Sequence, residues 1–162
     1  MRKTVGISVG IVAAVALGFF AMSCGSSTDV KTKTYVANLS PANEVPPKTG
    51  LTSSGVATFE DEGTDILWTL NLTNMTGVTA SHIHLGAVGV APAGNIIFNL
   101  FIPNGTTGPV SGIVAQGTIT SANNVNVSLD SLRKLFNNGN AYVNVHTTAN
   151  PGGEIRDQVH PQ

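Results

Sequence analysis

The chain has 162 residues, of which only 10% are charged, with 8 Lys/Arg against 9 Asp/Glu for a formal net charge of −1. With no basic surplus or stripe, it does not suit nucleic acid as a partner. A single cysteine excludes an internal disulfide and any cysteine-built metal site.

The N-terminus comes first. Met1-Arg2-Lys3 is a short basic start. An apolar run follows from Val5 to Ala21, broken only by small residues such as Gly6, Ser8, Gly10 and Gly18. It ends in Ala21-Met22-Ser23-Cys24. A basic start, an apolar stretch and small residues before a cut site describe a secretory signal rather than a domain element. The run ending in cysteine resembles the bacterial lipoprotein lipobox. That resemblance implies a signal peptide over residues 1–23, cleavage before Cys24 and a diacylglyceryl group on the Cys24 sulfur. The apolar run is a little long for a signal, so an uncleaved transmembrane helix is the alternative. Either arrangement puts the rest of the chain outside the cytoplasm. Two or more acyl chains anchor a protein stably, whereas one does not.

Residues 24–33 follow as a tether, opening with the small polar run Gly25-Ser26-Ser27-Thr28-Asp29, which has no means of burying itself. Gly25 rather than Asp follows the cysteine. In bacteria that sort lipoproteins by this position, that resembles release to the outer membrane. The expected location is therefore the cell envelope, facing the periplasm or the exterior, with the membrane as a partner through Cys24.

Residues 34–160 make one domain's worth of chain, long enough to bury a core unaided. After Cys24, six Lys/Arg against nine Asp/Glu leave a net charge of −3. Thr, Asn, Gly and Val are abundant, a composition suited to strands and tight turns. Short segments punctuated by Gly, Pro and Asn predict an all-β, antiparallel sandwich or barrel-like sandwich. Strands are expected over 33–39, 55–60, 66–72, 78–85, 96–101, 113–120, 141–147 and 154–159. In the third, Ile66, Trp68, Leu70 and Leu72 share one face with a period of two. Glu60-Asp61-Glu62-Gly63 reads as an exposed turn with solvated charges.

One short helix is expected near 128–138. Ser128 can cap it, Leu129, Leu132, Leu135 and Phe136 form its apolar stripe, and Gly139 can end it. It would pack over one end of the sandwich. The glycines at 86, 89 and 94 have no accompanying lysine or following helix, so they read as turns rather than a phosphate loop.

Side chains on a strand alternate between faces. In 141–147 the apolar set is Ala141, Val143 and Val145, opposite Tyr142, Asn144 and His146. In 78–85, Ile83 and Leu85 lie opposite His82 and His84. In 154–159, Ile155 and Val159 lie opposite Glu154, Arg156 and Gln158. Asn150-Pro151-Gly152-Gly153 is a strong turn signal. A hairpin there would pair His146 with Glu154, Asn144 with Arg156 and Tyr142 with Gln158, all on one face. If the 78–85 strand is a neighbour, one sheet face gathers His82, His84, Tyr142, Asn144, His146, Glu154 and Arg156.

Two histidines at i and i+2 on a strand point the same way, and a third from another strand completes a three-nitrogen set suited to copper or zinc. Glu154 is then placed to orient a ligating histidine. The competing reading is a hydrogen-bonded polar patch that locks the hairpin. His160, in the tail beside Pro161, reads as surface.

The segments 80–86, 139–147 and 150–156 carry ASHIHLG, GNAYVNVHT and NPGGEIR. Together with Leu39-Ser40-Pro41-Ala42-Asn43-Glu44-Val45-Pro46-Pro47, they resemble the CHRD family, the module named after chordin and found in many bacterial secreted proteins. The resemblance runs from about Tyr35 to Val159. One departure is Asp157, where the pattern has glycine after the arginine. The resemblance implies a β-sandwich-like extracellular module and supplies no defined activity. His82-Ile83-His84 with a later histidine is also similar, locally, to part of the copper site of copper/zinc superoxide dismutases. The further zinc ligands and disulfide of that family have no counterpart among four histidines and one cysteine.

No nucleophile with visible partners emerges. Ser81 points away from His82, and the carboxylates are scattered. The chain is therefore expected to be a non-catalytic binding or interaction module, meeting an envelope or extracellular protein or glycan. The alternatives are a copper- or zinc-binding metalloprotein using His82, His84 and His146, and a structural spacer. A spacer predicts these histidines fully paired, and a metal site predicts ring nitrogens converging on one point.

Overall fold

The computed structural model describes residues 32–90, 95–123 and 126–162. The signal-like segment and Cys24 lie outside them. No helix among the described residues is long and apolar enough to cross a membrane.

Among the described residues, nine strands form two antiparallel sheets facing each other, a β-sandwich, with one α-helix beside them. The strands are β1 (Lys33–Leu39), β2 (Ser54–Asp61), β3 (Ile66–Met75), β4 (Val78–Leu85), β5 (Ile96–Phe101), β6 (Val110–Ile119), β7 (Ala141–Thr147), β8 (Ile155–Gln158) and β9 (His160–Pro161). One sheet runs β6-β3-β2-β1-β9 and the other β5-β4-β7-β8. The chain changes sheet between β3 and β4, β5 and β6, β6 and β7, and β8 and β9.

The period-two pattern places the core. From the first sheet, Tyr35, Leu39, Phe59, Ile66, Leu70 and Leu72 are buried; from the second, Ile83, Val143, Val145 and Ile155 meet them. Trp68 is also buried and packs edge-on to Phe98, with ring centroids 6.2 Å apart. Leu85 departs from expectation. It lies at the end of β4, where the strand leaves the core, and is 40% exposed.

The helix α1 (Leu129–Asn137) closes one end, as expected. The Ser128 side chain accepts a bond from the Ser131 backbone N–H, and Gly139 takes the left-handed φ of 63° that follows a helix end. Leu132 and Phe136 are fully buried, and the Phe136 ring sits 5.2 Å from Tyr35 and 4.9 Å from Phe59. The helix also corrects the reading of the 60–63 turn. Asp61 is ion-paired with Arg133 at 2.9 Å, with both side chains largely sheltered, so its charge is not simply solvated.

The last expected strand is split. Residues 155–158 pair with β7, Val159 turns into the core, and His160 and Pro161 cross to pair with β1. Asp157, in β8, is held by hydrogen bonds. Its carboxylate accepts from the Asn38 backbone N–H at 2.8 Å and from Asn43 Nδ2 at 3.1 Å. It thereby ties β8 to the end of β1 and to the short 3-10 turn Pro41–Asn43, an element with no counterpart in the sequence reading.

Candidate functional site

The outer face of the second sheet carries the candidate site. In the β4–β7 ladder His82 lies opposite Asn144 and His84 opposite Tyr142; in the β7–β8 ladder Tyr142 lies opposite Gln158 and Asn144 opposite Arg156. The Tyr142–Gln158 and Asn144–Arg156 pairings are those the turn and the alternation predict, whereas the adjacency of β4 and β7, left open by the sequence, comes from the fold. Directly opposed residues of antiparallel strands point to the same face, so the two ladders bring these side chains together.

His82, His84 and His146 form one cluster. Each offers a ring nitrogen, and the three nitrogens lie within 4.8 Å of one another. Ring centroids are 5.4 Å apart for His82 and His84, 5.1 Å for His82 and His146, and 6.0 Å for His84 and His146. His84 is buried and the other two are half-buried. Nδ1 of His82 and Nε2 of His146 are enclosed yet have no hydrogen-bond partner in the protein. His146 Nδ1 lies 3.0 Å from the Pro151 carbonyl oxygen. A carbonyl only accepts, so Nδ1 carries the proton, and in the neutral ring Nε2 keeps its lone pair. Burial, aided by the neighbouring histidines, pulls the His82 pKa down to about 4. Burial also lowers that of His146. At neutral pH these rings are therefore uncharged, the form that binds a metal.

The donor set fits a small transition-metal ion. Around tetrahedral zinc, with bonds near 2.0–2.1 Å, nitrogens stand about 3.3 Å apart. Closing the cluster from its present spread takes ring movements of about 1 Å, well within rotation about the side-chain bonds of half-buried rings.

The surroundings are ordered. His84 stacks flat on Tyr142, with centroids 5.0 Å apart and planes 8° apart. The Arg156 guanidinium lies over the Tyr142 ring at 3.7 Å. Arg156 is 2% exposed and donates to the carbonyls of Val90 (2.8 Å) and Ala87 (3.5 Å) and to Gln158 Oε1 (3.4 Å). It thus fastens the β4–β5 loop onto the sheet. Gln158 Nε2 adds bonds to the Gly86 and Gly139 carbonyls.

Glu154 departs from its expected role. Its carboxylate accepts from Thr147 Oγ1 at 2.7 Å and from Asn150 Nδ2 at 3.0 Å, so it locks the turn and does not orient His146. The reason is local. Regular β7–β8 pairing stops at Val145 and Ile155, and Gly153 takes a φ of 123° at the turn. Glu154 is thereby released from strict alternation. The Pro151 carbonyl of the same turn orients His146 instead. His160, in β9, belongs to the other sheet.

Sequence reasoning gave no role to Glu44. Its carboxylate accepts from Asn144 Nδ2 at 2.7 Å, and both residues are buried. Burial raises the Glu44 pKa, and bonding from Asn144 and the Arg156 charge only partly oppose this. Glu44 lay within a recognisable segment, but its target is 100 residues away, where only tertiary structure reveals it.

The CHRD domain family model matches residues 35–159 of the chain. No curated protein and no solved structure matches it.

Proposed function

The chain belongs to the CHRD-domain family, and from that premise we propose that it is a binding module of the cell envelope whose ligand is a copper or zinc ion held by His82, His84 and His146. The observation that carries the reading is the convergence of three ring nitrogens within 4.8 Å, two of them from rings with an enclosed, unpartnered nitrogen. A patch that merely locked the hairpin would consume those nitrogens in hydrogen bonds, because a buried polar atom left unpaired costs about 1–3 kcal/mol. A bound ion recovers that cost. The proposed role is binding rather than turnover: among the candidate residues no nucleophile has a base beside it, and Ser81 is buried on the opposite face from the histidines.

Cys24 supports lipid anchoring. It is the only cysteine, and it follows a basic start and an apolar run. With a lipid there, the tether holds the sandwich at the membrane surface and exposes the histidine face to the periplasm or the exterior. A polar face offered to an envelope protein or glycan is the second reading, favoured by the residual exposure of His82 and His146.

Elemental mass spectrometry of the full chain, purified in mild detergent after exposure to copper and zinc, tests the metal reading. One equivalent of metal, absent when His82, His84 and His146 are all changed to Ala, supports it. No metal in the unaltered protein overturns it and leaves the face to a macromolecular partner.

A further inference from the structure

Resting on that metal reading, we infer that the site is built for a monovalent ion, copper(I), and discriminates against divalent zinc.

The argument is one of charge. The three candidate ligands are imidazoles, which bind a metal as neutral donors, and among the described residues no carboxylate or thiol joins their cluster. The carboxylates that might have done so are committed elsewhere. Glu154 is bound by Thr147 and Asn150, and Glu44 by Asn144. Meanwhile a permanent cation stands behind one ligand: the Arg156 guanidinium lies 3.7 Å from the centre of the Tyr142 ring, whose ring stacks 5.0 Å from that of His84. Arg156 is 2% exposed, so water does little to screen it.

Desolvating an ion costs energy in proportion to the square of its charge, so a divalent ion loses about four times what a monovalent ion of the same size loses. Anionic ligands would offset that loss for zinc, and here the ligands supply none. The repulsion from Arg156 likewise doubles with the charge of the ion. Coordination number points the same way. Zinc over three histidines completes its tetrahedron only with a water or another added donor, whereas copper(I), with a filled d shell and a single charge, is satisfied by three in a plane. Imidazole itself serves either metal, so charge and coordination number decide.

The test is a pair of anaerobic competition titrations on the full chain in mild detergent. Copper(I) is partitioned against bicinchoninate, and zinc(II) against a colorimetric zinc chelator. Silver(I), monovalent and redox-inert, is then used to displace each. We expect one equivalent of copper(I), bound at least 100-fold more tightly than zinc(II), with silver(I) competing at the same site. Zinc(II) binding within tenfold of copper(I), or more tightly, overturns the inference and leaves the metal reading standing. Binding of neither metal overturns both.

Discussion

Replacing Gly153 by Ala perturbs the junction on which the site's framework converges. The residue sits at φ 123°, a conformation that L side chains rarely adopt. A Cβ there would fall 2.7 Å from Glu44 Oε1 and 2.6 Å from Asn144 Nδ2, inside any real contact distance. The backbone strain is worth about 1–3 kcal/mol. Displacing Asn144 from the Glu44 carboxylate adds about 1.5–3 kcal/mol for a hydrogen bond to a charged group. The neighbours are fixed in the core, with Asn144 fully buried and Glu44 3% exposed, so relief by movement is limited. A loss of about 3–5 kcal/mol follows, which at about 4 °C per kcal/mol for a domain of this size lowers the melting temperature by about 12–20 °C. Gly152→Ala is the matched control: it has open space around its Cβ and no positive φ, and it should change stability by less than about 1 kcal/mol. Both variants are compared by urea unfolding followed through Trp68 fluorescence. If Gly153→Ala unfolds within about 1 kcal/mol of the unaltered protein, the Glu44–Asn144 junction does not hold the face as described.

Three further predictions are more compact. In metal-free protein, the His82 pKa is depressed from 6.5 to about 4 by burial, so the unfolded chain takes up the proton first as pH falls. Stability from this residue is full above about pH 6.5 and lost progressively towards pH 4. Full linkage would be about 3 kcal/mol, and for a half-buried ring ~1–2 kcal/mol is expected. Glu44, with a raised pKa, acts in the opposite sense and loses its contribution as pH rises. The comparison must therefore be with His82→Gln, whose unfolding curve should be flatter between those limits; identical pH dependence would refute it. Arg156→Met keeps the packing stem but removes the donors to Val90 and Ala87. It should speed amide exchange in the 86–90 loop far more than in β1, and uniform exchange would contradict the clamp. Cys24→Ala should abolish incorporation of labelled palmitate and release the protein from membranes; retained label would remove the lipid from the account.

Legibility in the sequence followed the reach of the interactions. Alternation in 66–72 and 141–147 is dictated within the segment, so the strands and their faces were readable. The Asn150-Pro151-Gly152-Gly153 turn fixed the Tyr142–Gln158 and Asn144–Arg156 pairings, because a tight turn sets register locally. The placement of β4 beside β7 needed the tertiary fold, and it is what turns three dispersed histidines into a cluster. Glu154 was misjudged because the alternation rule was carried one residue past the end of regular pairing. Leu85 was misjudged for a related reason: its parity is inward, but the core ends before it does. Glu44 and Asp157 reach across the chain, and no local pattern betrays such partners.

X-ray absorption at the copper edge of the copper(I)-loaded protein tests the central claim most directly. Three nitrogen scatterers in the first shell, with the outer-shell multiple scattering of three imidazole rings, is the predicted result. A shell with one imidazole or none, or one dominated by oxygen or sulfur, would contradict a site made of His82, His84 and His146.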